Sequence, residues 1–203
     1  MMGPIYVITD PDAPLPVAQQ ALAAARGGAD LIQIRDKQAS DAEFAALVAR
    51  LLPQITALGA RLVVNDRVAV ALSCGAHGLH IGQGDGDPLR IRAQMPEGML
   101  LGLSVETEAQ ARAIPAGIDY IGAGPVRATA SKPDHAPPIG LDGLARIVSA
   151  ARYPAYAIGG VKSADAAAVR AAGCIGMAVV SAVVRAADPE AATRALCAEW
   201  GQA

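Results

Sequence analysis

The feature that most constrains this chain is an alternation. Eight short runs rich in β-branched residues recur along its 203 residues, at 5–9, 31–35, 62–65, 78–81, 100–104, 118–123, 155–158 and 176–180. Most are separated by an Ala/Leu-rich segment with helical spacing. Strands alternating with helices form βαβ units, which build a parallel sheet covered by helices. The helix entries carry their own signals. Ser40-Asp41-Ala42-Glu43 reads as a capping box, and Thr107-Glu108-Ala109-Gln110 resembles one. Asp188-Pro189 sets an N-cap before a proline at the first helical position. Glycines at 27, 28, 59, 75, 117 and 173 stand where helices should end.

Eight units of roughly 25 residues lie at the short end of a (β/α)8 barrel, typically ~250 residues. A doubly wound sheet would usually have fewer strands and one dominant crevice. The barrel is favoured because polar residues gather at the C-terminal end of nearly every strand, where barrel active sites are built. The expected architecture is therefore α/β: one domain over residues 1–203, a short TIM barrel. No internal sequence repeat beyond the alternation, and no linker, divides the chain.

Composition narrows the function classes. Net charge is −2, and hydrophobic residues make up 53% but aromatics only 3%. Neither a nucleic-acid surface nor a polybasic membrane surface fits that balance. The most apolar run, 175–184, is about half of the ~20 residues a membrane span needs. Cys74, Cys174 and Cys197 are odd in number and widely spaced, which suits reduced thiols. Residues 1–5 lack the features of a signal peptide, so a cytoplasmic protein is expected. Nothing in the sequence sets the oligomeric state.

The chemistry-bearing residues fall at the strand ends. Gln33, Arg35 and Lys37 share one face if the second strand persists that far, and two cations pointing the same way need an anion. The plainer reading is a pair of surface cations with Asp36 as partner. Asn65-Asp66 ends the third strand, and Asp66 has at least an even claim to capping the next helix. In Gly82-Gln83-Gly84-Asp85-Gly86-Asp87-Pro88, Asp87 is the better cap, which frees Asp85. Asp66 and Asp85 at neighbouring strand ends suit Mg²⁺, a hard cation that takes carboxylates, waters and phosphate oxygens. Ser104 is equally a cap or a substrate contact. His77 and His80 would face opposite sides of a strand and make a poor metal pair, and His135 has a solvated loop position.

A long connection, residues 122–139, reads GAGPVRATASKPDHAPPI and carries Thr129, Ser131 and Lys132 close together. Connections of that length in compact folds are usually functional or disordered. Gly159-Gly160 and Val180-Ser181 close the last two strands, a frequent phosphate position in such barrels. Two anion zones result. One uses Arg35, Lys37 and Lys132, with Mg²⁺ on Asp66 and Asp85. The other uses backbone N–H groups at Gly160 and Ser181. That pattern suits an enzyme joining a diphosphate-bearing to a monophosphate-bearing small molecule.

Together these motifs resemble the thiamine phosphate synthase family, from Tyr6-Val7-Ile8-Thr9 to Val179-Val180-Ser181-Ala182. The family's Q-x-R-x-K fits Gln33, Arg35 and Lys37; its N-D fits Asn65 and Asp66; its G-Q-x-D fits Gly82 to Asp85. Its G-P…T-x-T-K fits Gly124, Pro125, Thr129, Ser131 and Lys132, and its I-G-G and V-S fit Ile158 to Gly160 and Val180-Ser181. The resemblance implies condensation of hydroxymethylpyrimidine diphosphate with a thiazole phosphate, giving thiamine phosphate and pyrophosphate. By analogy Gln33, Arg35, Asp36, Lys37, Asn65, Ser104 and Lys132 hold the pyrimidine diphosphate, with Arg35, Lys37 and Lys132 catalytic. Asp66 and Asp85 hold Mg²⁺. Thr129, Ser131, Gly160, Val180 and Ser181 hold the thiazole phosphate. The alternatives are a thiazole tautomerase-like enzyme and a non-catalytic phosphate-binding barrel. The chain departs from the family at Arg127 and Ala128, where an aromatic residue and a proline are usual, and at Ser131, where the family has Thr. Arg127 either adds a cation near the phosphates or points to solvent.

Overall fold

In a computed structural model the described residues are 2–129, 131 and 136–202. The elements follow in the order β1 (Ile5–Ile8), α1 (Val17–Arg26), β2 (Leu31–Ile34), α2 (Asp41–Ala57), β3 (Arg61–Asn65), α3 (Val68–Ser73), β4 (Gly78–Ile81) and α4 (Pro88–Arg92). They continue with β5 (Leu100–Val105), α5 (Glu108–Arg112), β6 (Tyr120–Ala123), α6 (Gly140–Ala151), β7 (Ala155–Ile158), α7 (Ala166–Ala171), β8 (Gly176–Val179), α8 (Ser181–Val184) and α9 (Pro189–Gln202). The strands form a closed parallel barrel in sequence order, with β8 returning to β1 through Val7 opposite Val179. This is the expected (β/α)8 barrel. Its brevity comes from its helices: α4 and α5 have five residues each and α8 has four.

Period-2 alternation divides the core into two layers. Ile5 and Val7 of β1 belong to the large outer cluster between strands and helices, with Ile32, Ile34, Leu62, Val64, Leu79 and Leu101. Tyr6 and Ile8 point the other way and join Leu31, Val63, Tyr120, Tyr156 and Ala178 in a smaller cluster inside the barrel. Three tyrosines thus fill the interior of an aromatic-poor chain. Their rings meet edge to face, with centroids 5.3 to 5.8 Å apart. Each such pair adds about 0.5–1.5 kcal/mol beyond its buried area.

The helix entries follow the sequence signals. Ser40 with Glu43 and Thr107 with Gln110 form complete capping boxes, and the Asp87 side chain accepts from the Leu89 amide with Pro88 inside the helix. Asp66 caps nothing. The residue ahead of α3 is Arg67, without a side-chain cap bond, and Asp66 itself has left-handed backbone, φ 53°. Among the described residues no helix is long and apolar enough to cross a membrane.

Candidate active site

The strand ends meet in a cavity of about 570 Å³ at the C-terminal mouth of the barrel. Gln33, Arg35, Lys37, Asn65, Asp66, Asp85, Ser104, Thr129, Ser131, Gly160, Val180 and Ser181 all line it. Asp36 does not; its carboxylate accepts from the Gln38 and Ala39 amides at 2.9 and 3.0 Å and shapes its own loop. Lys132 and His135 lie outside the described residues. A second depression, about 660 Å³, runs along the outer surface of α5 and α6, where Glu108 already pairs with Arg112 and Arg146. None of the described candidate residues borders it.

On the β2–β4 side the site is built from charged side chains whose backbones are pinned from neighbouring elements. The buried Thr9 hydroxyl accepts from the Arg35 amide at 2.9 Å and donates to the Arg35 carbonyl at 3.1 Å, so β1 fixes where β2 ends. Arg67, just ahead of α3, reaches across and donates to the carbonyls of Asp36 and Ala39, holding the loop that carries Lys37. Lys37 Nζ then lies 3.5 Å from Asp66 Oδ2. Burial raises the Asp66 carboxyl above the usual carboxylate range; Lys37 opposes this and the Asp85 charge adds to it. Each effect requires the three groups to be neighbours. Asp85 Oδ2 accepts from the Gly82 amide at 2.7 Å, which orients that carboxylate. Two hard-oxygen donors with a lysine beside them fit Mg²⁺ and its waters, whereas no cluster of three His, Cys, Asp or Glu exists among the described residues.

On the β6–β8 side the materials differ. Gly159 and Gly160 have consecutive left-handed backbones, φ 87° and 67°, a conformation costly for residues with a Cβ. A Cβ on Gly160 would also lie 2.8 Å from Arg127 Cβ. Ser181 begins α8, where the first amides lack intrahelical partners. Thr129 Oγ1 accepts from the Ser131 amide at 3.2 Å, folding the β6 loop back on itself. The loop neck is closed by Ile139 N to Pro125 O and Gly140 N to Val126 O, at 2.9 and 3.0 Å.

A third part of the site was not singled out from the sequence. Gln33 Nε2 donates to Tyr6 Oη at 2.5 Å, Tyr6 Oη meets Tyr120 Oη at 2.9 Å, and Tyr120 Oη meets His80 Nδ1 at 3.3 Å. His80 Nε2 meets Ser104 Oγ at 3.1 Å. A hydrogen-bonded chain therefore crosses the cavity floor from Gln33 to Ser104. Burial raises the Tyr6 and Tyr120 phenols well above their usual range, so both stay protonated. Gly102 makes the chain possible, since a Cβ there would sit 2.5 Å from His80 Nδ1. The signal available in advance was parity: His80 and Tyr6 each sit at an inward position of their strand. His77 lies elsewhere, with Nδ1 accepting from the Leu62 amide. Glu106 and Lys162 line the cavity as well.

Comparison with known proteins agrees with this geometry. A family model described as thiamine monophosphate synthase matches residues 5–183. A thiamine-phosphate synthase of Roseiflexus sp. (strain RS-1) is 47% identical over 200 residues, covering 96% of this chain and 84% of that protein. One of Laribacter hongkongensis is 43% identical, covering 97% and 95%. A solved thiamine phosphate pyrophosphorylase from Pyrococcus furiosus superposes with a TM-score of 0.88 at 34% identity, over 98% of this chain and 96% of that one. With the motif order, the barrel and the placement of the motifs around one cavity in agreement, the chain belongs to the thiamine monophosphate synthase family.

Proposed function

We propose that this chain is a transferase that condenses hydroxymethylpyrimidine diphosphate with a thiazole phosphate, releasing thiamine phosphate and pyrophosphate. The observation that carries the reading is the cavity itself. It holds a charged zone at β2–β4 and a zone of glycine amides and hydroxyls at β6–β8, so two phosphorylated substrates fit side by side. Holding both in one cavity supplies the orientation term of a two-substrate reaction.

The bond that breaks joins the pyrimidine methylene carbon to the diphosphate oxygen, and its electron pair leaves with pyrophosphate. The thiazole nitrogen then donates its lone pair to the methylene carbon. Arg35 and Lys37 stabilise the charge gathering on the leaving group, and pre-oriented charges of this kind contribute about 10²–10³-fold each. Asp66 and Asp85 are the residues that would hold Mg²⁺, which neutralises phosphate charge when bound. Gln33 and Ser104 hold the pyrimidine from either end of the buried chain, with Asn65 beside them. Thr129, Ser131, Gly160, Val180 and Ser181 receive the thiazole phosphate. Lys132 keeps the role its position in the motif implies. The three free thiols accord with a cytoplasmic setting.

The test is pyrophosphate release measured with both substrates, with and without Mg²⁺. Release that needs both substrates and Mg²⁺ is expected. Tautomerisation of the thiazole phosphate without pyrophosphate release would replace this reading, as would saturable binding with no turnover.

A further inference from the structure

Arg127 stands at the entrance of the β6 loop, and its half-exposed guanidinium pairs with Asp165. Nη1 donates to Asp165 Oδ2 at 2.7 Å and Nη2 to Asp165 Oδ1 at 2.8 Å, two parallel bonds in the fork geometry. Asp165 closes the 3-10 turn Ser163–Asp165 ahead of α7, and its side chain is only 15% exposed. Its Oδ2 also accepts from the Lys162 amide at 2.8 Å. The backbone repeats the connection. Val126 N donates to Ile158 O at 2.8 Å and Arg127 N to Gly159 O at 2.9 Å, extending the β6–β7 pairing past the strand ends. Arg127 therefore directs its guanidinium at Asp165 and, at 3.4 Å, at the Gly160 carbonyl of the neighbouring loop.

We infer that the Arg127–Asp165 pair is a clasp that positions the thiazole-phosphate half of the site, locking the β6 loop and the Gly159-Gly160 turn into one unit. The inference rests on the proposed assignment of Thr129, Ser131 and Gly160 to that phosphate. Thr129 lies two residues beyond Arg127 on one loop, and Gly160 lies two residues before Lys162 on the other. Without the clasp, the two backbone bonds still join the loops, but the side-chain brace that narrows the spread of distances between hydroxyls and amides is gone. An ion pair with one partner half exposed to solvent adds modestly to global stability, so its main effect falls on geometry. The β2–β4 zone keeps its own fixings through Thr9 and Arg67.

The experiment compares the wild-type chain with Arg127→Gln, Asp165→Asn and the double variant. Hydrogen exchange is expected to quicken in both 126–128 and 158–160 in each variant. The KM for the thiazole phosphate should rise about tenfold, with the KM for the pyrimidine diphosphate unchanged within about twofold. The double variant should be no worse than either single one, because both remove the same contact. Unchanged exchange, equal rises in both KM values, or additive losses would each overturn the clasp. A wild-type chain that releases no pyrophosphate would sink the functional reading instead, and the exchange measurement would still decide whether Arg127 couples the loops.

Discussion

At the β2–β4 end of the cavity, charge is carried by side chains, with Lys37, Asp66 and Asp85 as neighbours and Arg35 alongside. At the β6–β8 end the walls offer mainly left-handed glycines, short hydroxyls and the start of a helix, with Lys162 beside them and Arg127 paired with Asp165. The contrast matches the chemistry proposed for each end. A diphosphate that departs gains charge during the reaction, so strong, pre-placed charges act there. A monophosphate that only anchors a nucleophile needs geometry and moderate affinity. Charge at the first end and shape at the second should therefore fail in different ways when altered.

The sharpest break should come from the charged end. Asp85→Asn keeps an oxygen that can accept from the Gly82 amide, so the turn should survive, but the anionic ligand is gone. Turnover is expected to fall on the order of 100-fold, with the Mg²⁺ requirement weakened and the folding midpoint unchanged. Near-normal turnover with ordinary Mg²⁺ dependence would take Asp85 out of the metal site.

The shape-built end should respond through backbone. Gly160→Ala places a Cβ against Arg127 in a left-handed conformation, φ 67°. The strain should cost about 1–2 kcal/mol of stability. The KM for the thiazole phosphate should rise about tenfold while Mg²⁺ dependence is untouched. If the Mg²⁺ response changes as well, the two ends are not independent.

Most of the scaffold was legible in the sequence because it depends on local rules. Short β-branched runs marked all eight strands, and the boxes at Ser40 and Thr107 marked their helices. Strand ends moved by a residue or two: β6 starts at Tyr120, not 118, with a turn at 116–117 and residues 118–119 leading from it into the strand. Gathering Gln33, Arg35, Lys37, Asp66 and Asp85 at one mouth followed from parity and topology. The hydrogen-bonded floor and the Arg127–Asp165 pair did not, because each depends on side chains 24 to 114 residues apart. Spacing along the chain carries no record of such pairings. The alternative role for Asp66 as a helix cap fell for a related reason: its left-handed backbone turns the chain before α3 begins.

The floor gives a smaller effect, confined to the pyrimidine zone. Tyr6→Phe removes the acceptor of Gln33 Nε2 and the partner of the Tyr120 hydroxyl. Leaving such a buried group unpaired costs about 1–3 kcal/mol. The KM for the pyrimidine diphosphate should rise a few-fold because Gln33 loses its orientation, with the thiazole phosphate KM constant. Equal change in both would mean that the floor supports the whole mouth instead of one substrate.

The smallest effect concerns pH and belongs to the shape-built end alone. The Arg127 hydrogen bonds hold the Asp165 carboxyl below the usual carboxylate range, assisted by the Lys162 amide and the charges of Arg127 and Lys162. A carboxylate depressed in the folded state binds fewer protons there than in the unfolded chain. Its stabilising contribution is therefore complete above the ordinary carboxylate pKa and is lost as pH falls through the lower, folded value. Denaturation of wild-type and Asp165→Asn chains should show a constant gap at neutral pH that closes only under acid conditions. A gap that instead opened as pH fell would mean that the carboxyl is raised, not lowered, by its surroundings, and that the Arg127 fork does not persist in solution.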